Sequence, residues 1–168
     1  MQLEEAMYRR RSVREFLDNE VPENLIEKLL AYAMSGPSAC NTRPWEFYVI
    51  KSPEKRKMLR KTTRYTDYAS SVIIIIAGNT KHMLPRQFGD FWIQDCSAAV
   101  ENILLGAVSI GLGSCWCGLY PKKEAVQSVR DALGLSENII PLGLIHIGYP
   151  AVTPEPRTQY DEERVHYI

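Results

Sequence analysis

Four arginines stand in six positions near the start of the chain, at residues 9–14. The whole chain has a formal net charge of zero, with 20 basic and 20 acidic residues, so this positive charge is local. Arginine makes bidentate hydrogen bonds to phosphate, and Ser12 adds a hydroxyl donor. The spacing therefore predicts a site for a phosphate and the polar chain attached to it. The alternative is a solvated helix end, because cations are favoured at a helix C-terminus.

Two cysteines, Cys115 and Cys117, are the other residues whose spacing suggests chemistry. They share one face of a predicted strand, but no second Cys or His pair at zinc spacing accompanies them. We therefore favour two small core thiols over a metal or redox pair. His146 lies in an apolar strand, where a satisfied core histidine is expected. Residues 111–113 begin a dinucleotide fingerprint, but Trp116 occupies its third glycine position, which excludes that motif.

Composition limits the classes of function. The chain has 168 residues, 45% of them hydrophobic, which is enough for one core and predicts a single domain. The balanced charge argues against a nucleic-acid-binding protein. The apolar run at residues 73–77 is too short to span a membrane. Four cysteines without a signal peptide predict reduced thiols and a cytoplasmic protein.

Hydrophobic periodicity predicts the elements that position these residues. Helices are predicted over residues 3–10, 22–34, 53–62, 87–112 and 121–133, and strands over residues 46–50, 72–77, 113–120 and 144–148. The fourth helix has almost no polar face, so it belongs in the middle of the fold or in a subunit interface. The tail after Tyr149 contains three prolines and several apolar side chains. We expect it to be an extended arm that lies on another surface, such as a second subunit.

A second segment, residues 36–47, is a loop rich in turn residues that enters the first strand. Together with residues 10–16 it resembles the nitroreductase family of FMN enzymes. The family patterns are Arg-Arg-Ser-x-Arg-x-Phe and Pro-Ser-x-x-Asn-x-x-Pro-Trp-x-Phe. Residues 111–116 resemble the end of the family's long central helix, and residues 144–150 resemble its last core strand. The resemblance thus covers essentially the whole chain.

The resemblance implies an α+β fold with a central mixed or antiparallel sheet flanked by helices. A single FMN-binding domain would cover residues 1–168. Residues 150–168 would form an arm that is exchanged between the subunits of a homodimer.

The resemblance also implies the residues that bind FMN. The phosphate, ribityl chain and pyrimidine edge would be held by Arg10, Arg11, Ser12 and Arg14. The other subunit would contribute Pro37, Ser38, Ala39 and Asn41. The reactive edge of the flavin would be approached by backbone at Cys117, Gly118 and Leu119. In the arm, Arg157 would return to the phosphate, while Gln159 stands where a second cation is often found.

The implied activity is transfer of a hydride from NADH or NADPH, through flavin N5, to an acceptor such as a nitroaromatic or a quinone. The coenzyme and the acceptor would occupy the same site in turn, which gives ping-pong kinetics. Hydride transfer through the flavin needs no catalytic side chain and no metal. Aromatic side chains expected to roof the site are Tyr65, Tyr68, Phe88 and Phe91. Two other classes stay open: a non-catalytic FMN-binding protein, and a thiol-based redox or metal protein using Cys115 and Cys117.

Overall fold

A computed structural model describes all 168 residues apart from the side chain of Arg86. Its helices are α1 (Leu3–Arg9), α2 (Glu23–Met34), α3 (Pro53–Arg60), α4 (Phe91–Ser109) and α5 (Lys123–Leu133). Its strands are β1 (Trp45–Ile50), β2 (Val72–Asn79), β3 (Gly113–Gly118) and β4 (Ile139–Gly148). The predicted α+β class is confirmed.

The four strands form one sheet in the order β1-β2-β4-β3, and every neighbouring pair is antiparallel. Of the two expected sheet types, mixed or antiparallel, the structure has the second. Strand β2 lies in the interior of the sheet, and each of its residues is buried. Its unbroken apolar sequence follows from helices covering both faces of the sheet.

Alternate side chains of β2 enter two different cores. Ile74 and Ile76 pack against α2 and α4 on one face. Ile73 and Ile75 face the opposite way, where Leu59 of α3 contributes to the core with residues of α5. Burying a side chain of this size stabilises the fold by about 1.5–3 kcal/mol. The sheet is therefore the middle layer of the fold, with one hydrophobic core on each face.

Several predicted boundaries are wrong by two to five residues. Helix α4 begins at Phe91 rather than at residue 87, because Gly89 takes a φ of 102° after the short turn Arg86–Phe88. Strand β4 begins at Ile139, and a register irregularity opposite Ile76 and Ala77 lets Pro141 lie within the paired strand. Strand β3 ends at Gly118, two residues before the predicted end.

The N-terminal segment and the C-terminal arm lie side by side. Backbone N–H groups donate from Val13 to Ser114 O at 2.9 Å and from Ala151 to Glu15 O at 3.0 Å. Further along the arm, Arg157 N donates to Tyr8 O at 3.0 Å. The arm therefore packs on its own chain at first, and its last residues are exposed. Exchange of the arm between subunits stays a prediction.

No helix among the described residues is both long enough and apolar enough to cross a membrane.

Candidate functional site

The arginine-rich segment lies directly on strand β3. Ser12 forms an isolated parallel bridge with Ser114. A Cβ on Gly113 would stand 2.9 Å from the side chain of Val13, so glycine permits this close approach. The segment is thereby fixed against the edge strand of the sheet rather than hanging as a solvated helix end.

Arg14 points toward an aromatic residue of the 61–71 connection. Its Nε donates to the Tyr68 hydroxyl at 3.2 Å, and its guanidinium carbon lies 5.9 Å from the centre of the Tyr68 ring. This hydrogen bond raises the pKa of Arg14, with the nearby Cys115 acting in the same direction. Arg14 therefore presents a permanent positive charge beside β3.

Tyr68 is itself held by a buried histidine. Its ring meets the His146 ring edge-on, with centroids 5.3 Å apart. His146 Nε2 donates to Thr66 O at 3.1 Å, and its Nδ1 lies 2.7 Å from Ser70 Oγ. Burial lowers the pKa of His146 to about 4, so the imidazole is neutral at pH 7. The expectation of a satisfied core histidine is confirmed, and His146 fixes residues 66–70 beneath Arg14.

The two thiols of β3 face the same site. Cys115 and Cys117 are free and buried, and Cys117 Sγ donates to Tyr65 O at 3.0 Å. The neighbouring Cys117 thiol, together with the charge of Arg14 and the Ser12 hydroxyl, lowers the pKa of Cys115 to about 7. The neighbouring Cys115 thiol and burial raise the pKa of Cys117. Among the described residues, no group of three or more metal-ligating side chains accompanies them.

Open space begins where β3 ends. A Cβ built on Gly118 would meet nothing within 4 Å, although the neighbouring Leu119 is completely buried. Leu119 N donates to Leu142 O at 2.9 Å, which fixes the backbone there. A rigid backbone beside an empty volume can accept a flat ligand edge.

A cavity of about 190 Å³ lies at the other end of β3. It is lined by residues of the arginine segment, of the start of β3 and of the arm, including Arg9, Arg10, Arg11, Gly111, Ser114 and Pro154. Arg10 Nε lies 3.7 Å from Glu101 Oε1, a carboxylate whose pKa burial raises. Arg11 Nη1 donates to Glu155 O at 2.6 Å, two residues from Arg157. Two of the predicted FMN-binding arginines, Arg10 and Arg11, thus line this cavity, whereas Arg14 and Arg157 are not part of its lining.

The 37–41 loop is anchored elsewhere, by Asp95 of α4. Asp95 Oδ1 accepts from Ala39 N at 2.8 Å, and Ser38 Oγ accepts from Arg43 N at 3.0 Å. Cys40, Asn41 and Arg43 have φ values of 49°, 54° and 48°. Positive φ is uncommon for residues other than glycine, and such conformations cluster at functional sites. Pro37 and Asn41 are exposed at this loop.

The two halves of the predicted site have no direct polar contact within one chain. Asp95 holds the loop near the start of α4, whereas Arg10 lies beside Glu101, six residues further along the helix, and Ser12 bridges to β3 beyond the helix end. Among the described residues, no hydrogen bond or ion pair joins residues 10–14 to residues 37–41.

Comparison with known proteins identifies the family of this chain. Residues 7–71 and 64–149 match the model of the nitroreductase family. The chain belongs to the nitroreductase family. A relative from Methanothermobacter thermautotrophicus, named "Putative NADH dehydrogenase/NAD(P)H nitroreductase", is 41% identical over 172 residues, which cover 99% of this chain and 86% of the relative.

Two solved structures of the family resemble this chain closely. One, from Parabacteroides distasonis and bearing the same name as that relative, is 31% identical with a TM-score of 0.92 and covers 99% of this chain and 98% of its own. Another, from Desulfovibrio desulfuricans, contains FMN. It is 26% identical with a TM-score of 0.85, and the match covers 100% of this chain and 97% of the Desulfovibrio chain.

Some residues that shape the site were missed in the sequence. Asp95 is a buried carboxylate on helix α4, and its burial cannot be told from the sequence because polar residues such as Gln94 and Ser97 lie beside it. Thr66 and Ser70 gave no signal, because their role depends on contacts with His146 across the chain. Of the roof aromatics, Phe88 and Phe91 are exposed, while Tyr68 lies in the site.

Proposed function

We propose that this nitroreductase-family protein is an FMN-dependent oxidoreductase that moves a hydride from NADH or NADPH to a nitroaromatic or quinone acceptor. The observation that carries the proposal is the arginine segment fixed along β3, with a phosphate-sized cavity at one end and open backbone at Gly118 at the other. When bound, FMN supplies the redox chemistry, accepting the hydride and passing the electrons on.

The residues present fit FMN. We assign the phosphate to Arg10 and Arg11, with Arg157 returning from the arm. Their guanidinium groups can make charged, bidentate hydrogen bonds to phosphate oxygens. Gly118 has no side chain to hinder a flat ring, and the neighbouring strand fixes its backbone.

We assign Ser12 and Arg14 to the polar chain and the pyrimidine edge. The positive charge of Arg14 would favour negative charge at that edge, which is the electrostatic contribution expected of a fixed cation. Tyr68 and His146 hold Arg14 in place but stay out of proton transfer, since His146 is buried and neutral. The proposal therefore requires no acid or base side chain for hydride transfer.

We further propose a homodimer in which each site is shared. Pro37, Ser38, Ala39 and Asn41 would contact the flavin of the partner subunit. The support is that no hydrogen bond or ion pair among the described residues joins the two halves within one chain. The strained backbone at Asn41 has an evident use if it is presented to a neighbour. The proposed compartment is the cytoplasm.

Mixed dimers test the shared site. Arg14→Glu damages one half, and Asn41→Trp damages the other, so each homodimer should lose NADH-dependent reduction of a quinone. In a mixed dimer with shared sites, one site carries both lesions and the other carries neither. Activity should return to about half of the wild-type value per dimer, as a two-fold interface requires. Differently tagged, purified mixed dimers without activity would show that both segments serve the same site within one chain.

A further inference from the structure

Tyr65 stands at the C-terminal end of β3, beside the proposed flavin edge. Its carbonyl accepts from Cys117 Sγ at 3.0 Å, which ties it to the strand one residue before Gly118. Lys122 N donates to Leu119 O at 2.9 Å, and this turn brings Lys122 back toward the same place. Half of the Tyr65 surface is exposed (50%), so part of the residue is open to a ligand.

Two cations share this ring. The Arg64 guanidinium carbon lies 4.6 Å from its centre, and Lys122 Nζ lies 5.5 Å from it. In the part of the chain that the structure describes, neither cation forms an ion pair with a carboxylate. The ring attracts each cation, but the two positive charges repel each other. An anion placed beside the ring would relieve that repulsion.

A cavity of about 280 Å³ adjoins the ring. It is lined by Thr62, Thr63, Arg64, Tyr65, Lys122, Glu124 and Ala125. Glu124 is the single carboxylate in this lining, so the two cations leave the cavity with a positive balance. Its volume is at the lower end of small-molecule pockets. That size suits one substituted ring better than a whole dinucleotide.

We propose that Arg64, Tyr65 and Lys122 form a clamp that selects aromatic electron acceptors bearing an anionic substituent. The ring of the acceptor packs against Tyr65, and its carboxylate or sulfonate lies between the two cations. The proposal rests on the proposed function, because it defines the acceptor that the reduced enzyme meets. In each turnover with a nitroaromatic acid, Ar–NO₂, NADH and a proton become Ar–NO, NAD⁺ and water.

Two acceptors that differ in one charge test the clamp. These are 4-nitrobenzoate and 4-nitrobenzamide, compared by kcat/KM under anaerobic conditions with the FMN-loaded protein. Arg64→Gln with Lys122→Gln should lower the benzoate-to-benzamide ratio about fivefold to tenfold, the size expected for two exposed ionic contacts. The matched control is Lys123→Gln, because Lys123 lines a different groove with Met58 and should leave the ratio unchanged.

Binding of benzoate and benzamide, which lack the nitro group and cannot be reduced, tests the clamp separately from the reductase activity. Wild-type holoprotein should bind benzoate more tightly than benzamide in calorimetry, and the double variant should lose that preference. Equal binding of the two analogues, an unchanged kcat/KM ratio, or an effect confined to kcat/KM for NADH would overturn the clamp. A benzoate preference in a protein that reduces neither nitro compound would support the clamp while refuting the proposed acceptor chemistry.

Discussion

Replacing Gly118 by valine should separate flavin binding from folding. Within the chain, a Cβ at this position meets nothing within 4 Å, and Gly118 lies outside the left-handed φ region. Valine is also well suited to a strand. We therefore expect the free energy of unfolding of the apoprotein to change by less than about 0.5 kcal/mol.

The effect on FMN should be much larger. If the flavin edge lies against the Gly118 backbone, the valine methyl groups would occupy its space. Forcing extra methyl groups into a filled site costs about 1–3 kcal/mol. Since about 1.4 kcal/mol is a tenfold change, the Kd for FMN should rise about 5- to 150-fold.

Fluorescence titration of the apoprotein with FMN measures this Kd, and urea unfolding measures stability. The matched control is Gly134→Ala, at the end of α5, where φ is 65° and open space again surrounds the position. That variant should lose about 1 kcal/mol of stability through its strained backbone and bind FMN normally. Sedimentation velocity shows whether either variant changes the oligomer. A Gly118→Val protein with wild-type Kd for FMN would refute our placement of the flavin edge.

Three further predictions follow from buried groups near the site. Asp95→Leu should weaken FMN binding because the 37–41 loop loses its anchor. Asp95→Asn keeps an oxygen that accepts from Ala39 N, so this variant should bind FMN nearly normally. Equal FMN titration curves for the two variants would count against the anchor. Cys115→Ser combined with Cys117→Ser should retain NADH-dependent reduction, because the flavin carries the electrons, and loss of turnover with normal FMN content and melting temperature would favour the thiol-based alternative. His146 has its pKa lowered to about 4 by burial, so between pH 6.5 and 4 the unfolded chain binds a proton that the folded chain does not. Stability should therefore fall with decreasing pH by up to about 1.4 kcal/mol per unit in that window, and urea titrations of His146→Gln should lack this slope.

Several element boundaries were predictable because local chemistry decides them. Ser52 caps α3 ahead of Pro53, and Gly134 ends α5, both as the sequence indicates. The apolar run of β2 is buried as predicted, although its antiparallel partners depend on long-range pairing. The start of α4 was placed too early because nothing in the polar sequence before it signals the turn at Gly89.

The arrangement of the site was less predictable than its residue types. The arginine segment could be recognised from its composition, but its bridge to Ser114 depends on how the chain folds back on β3. Likewise, Tyr68 was expected only to roof the site, whereas it contacts both Arg14 and His146. Such contacts join residues far apart in the chain, and periodicity carries no information about them.

The most direct test of the central claim is the visible spectrum of the purified FMN-loaded protein during anaerobic addition of NADH or NADPH. We expect the absorbance of oxidised flavin to bleach with one equivalent of coenzyme per bound FMN and to return when a quinone or nitroaromatic is added. A protein that binds FMN stoichiometrically yet keeps its oxidised spectrum with both coenzymes would contradict the account and support a non-catalytic FMN-binding role.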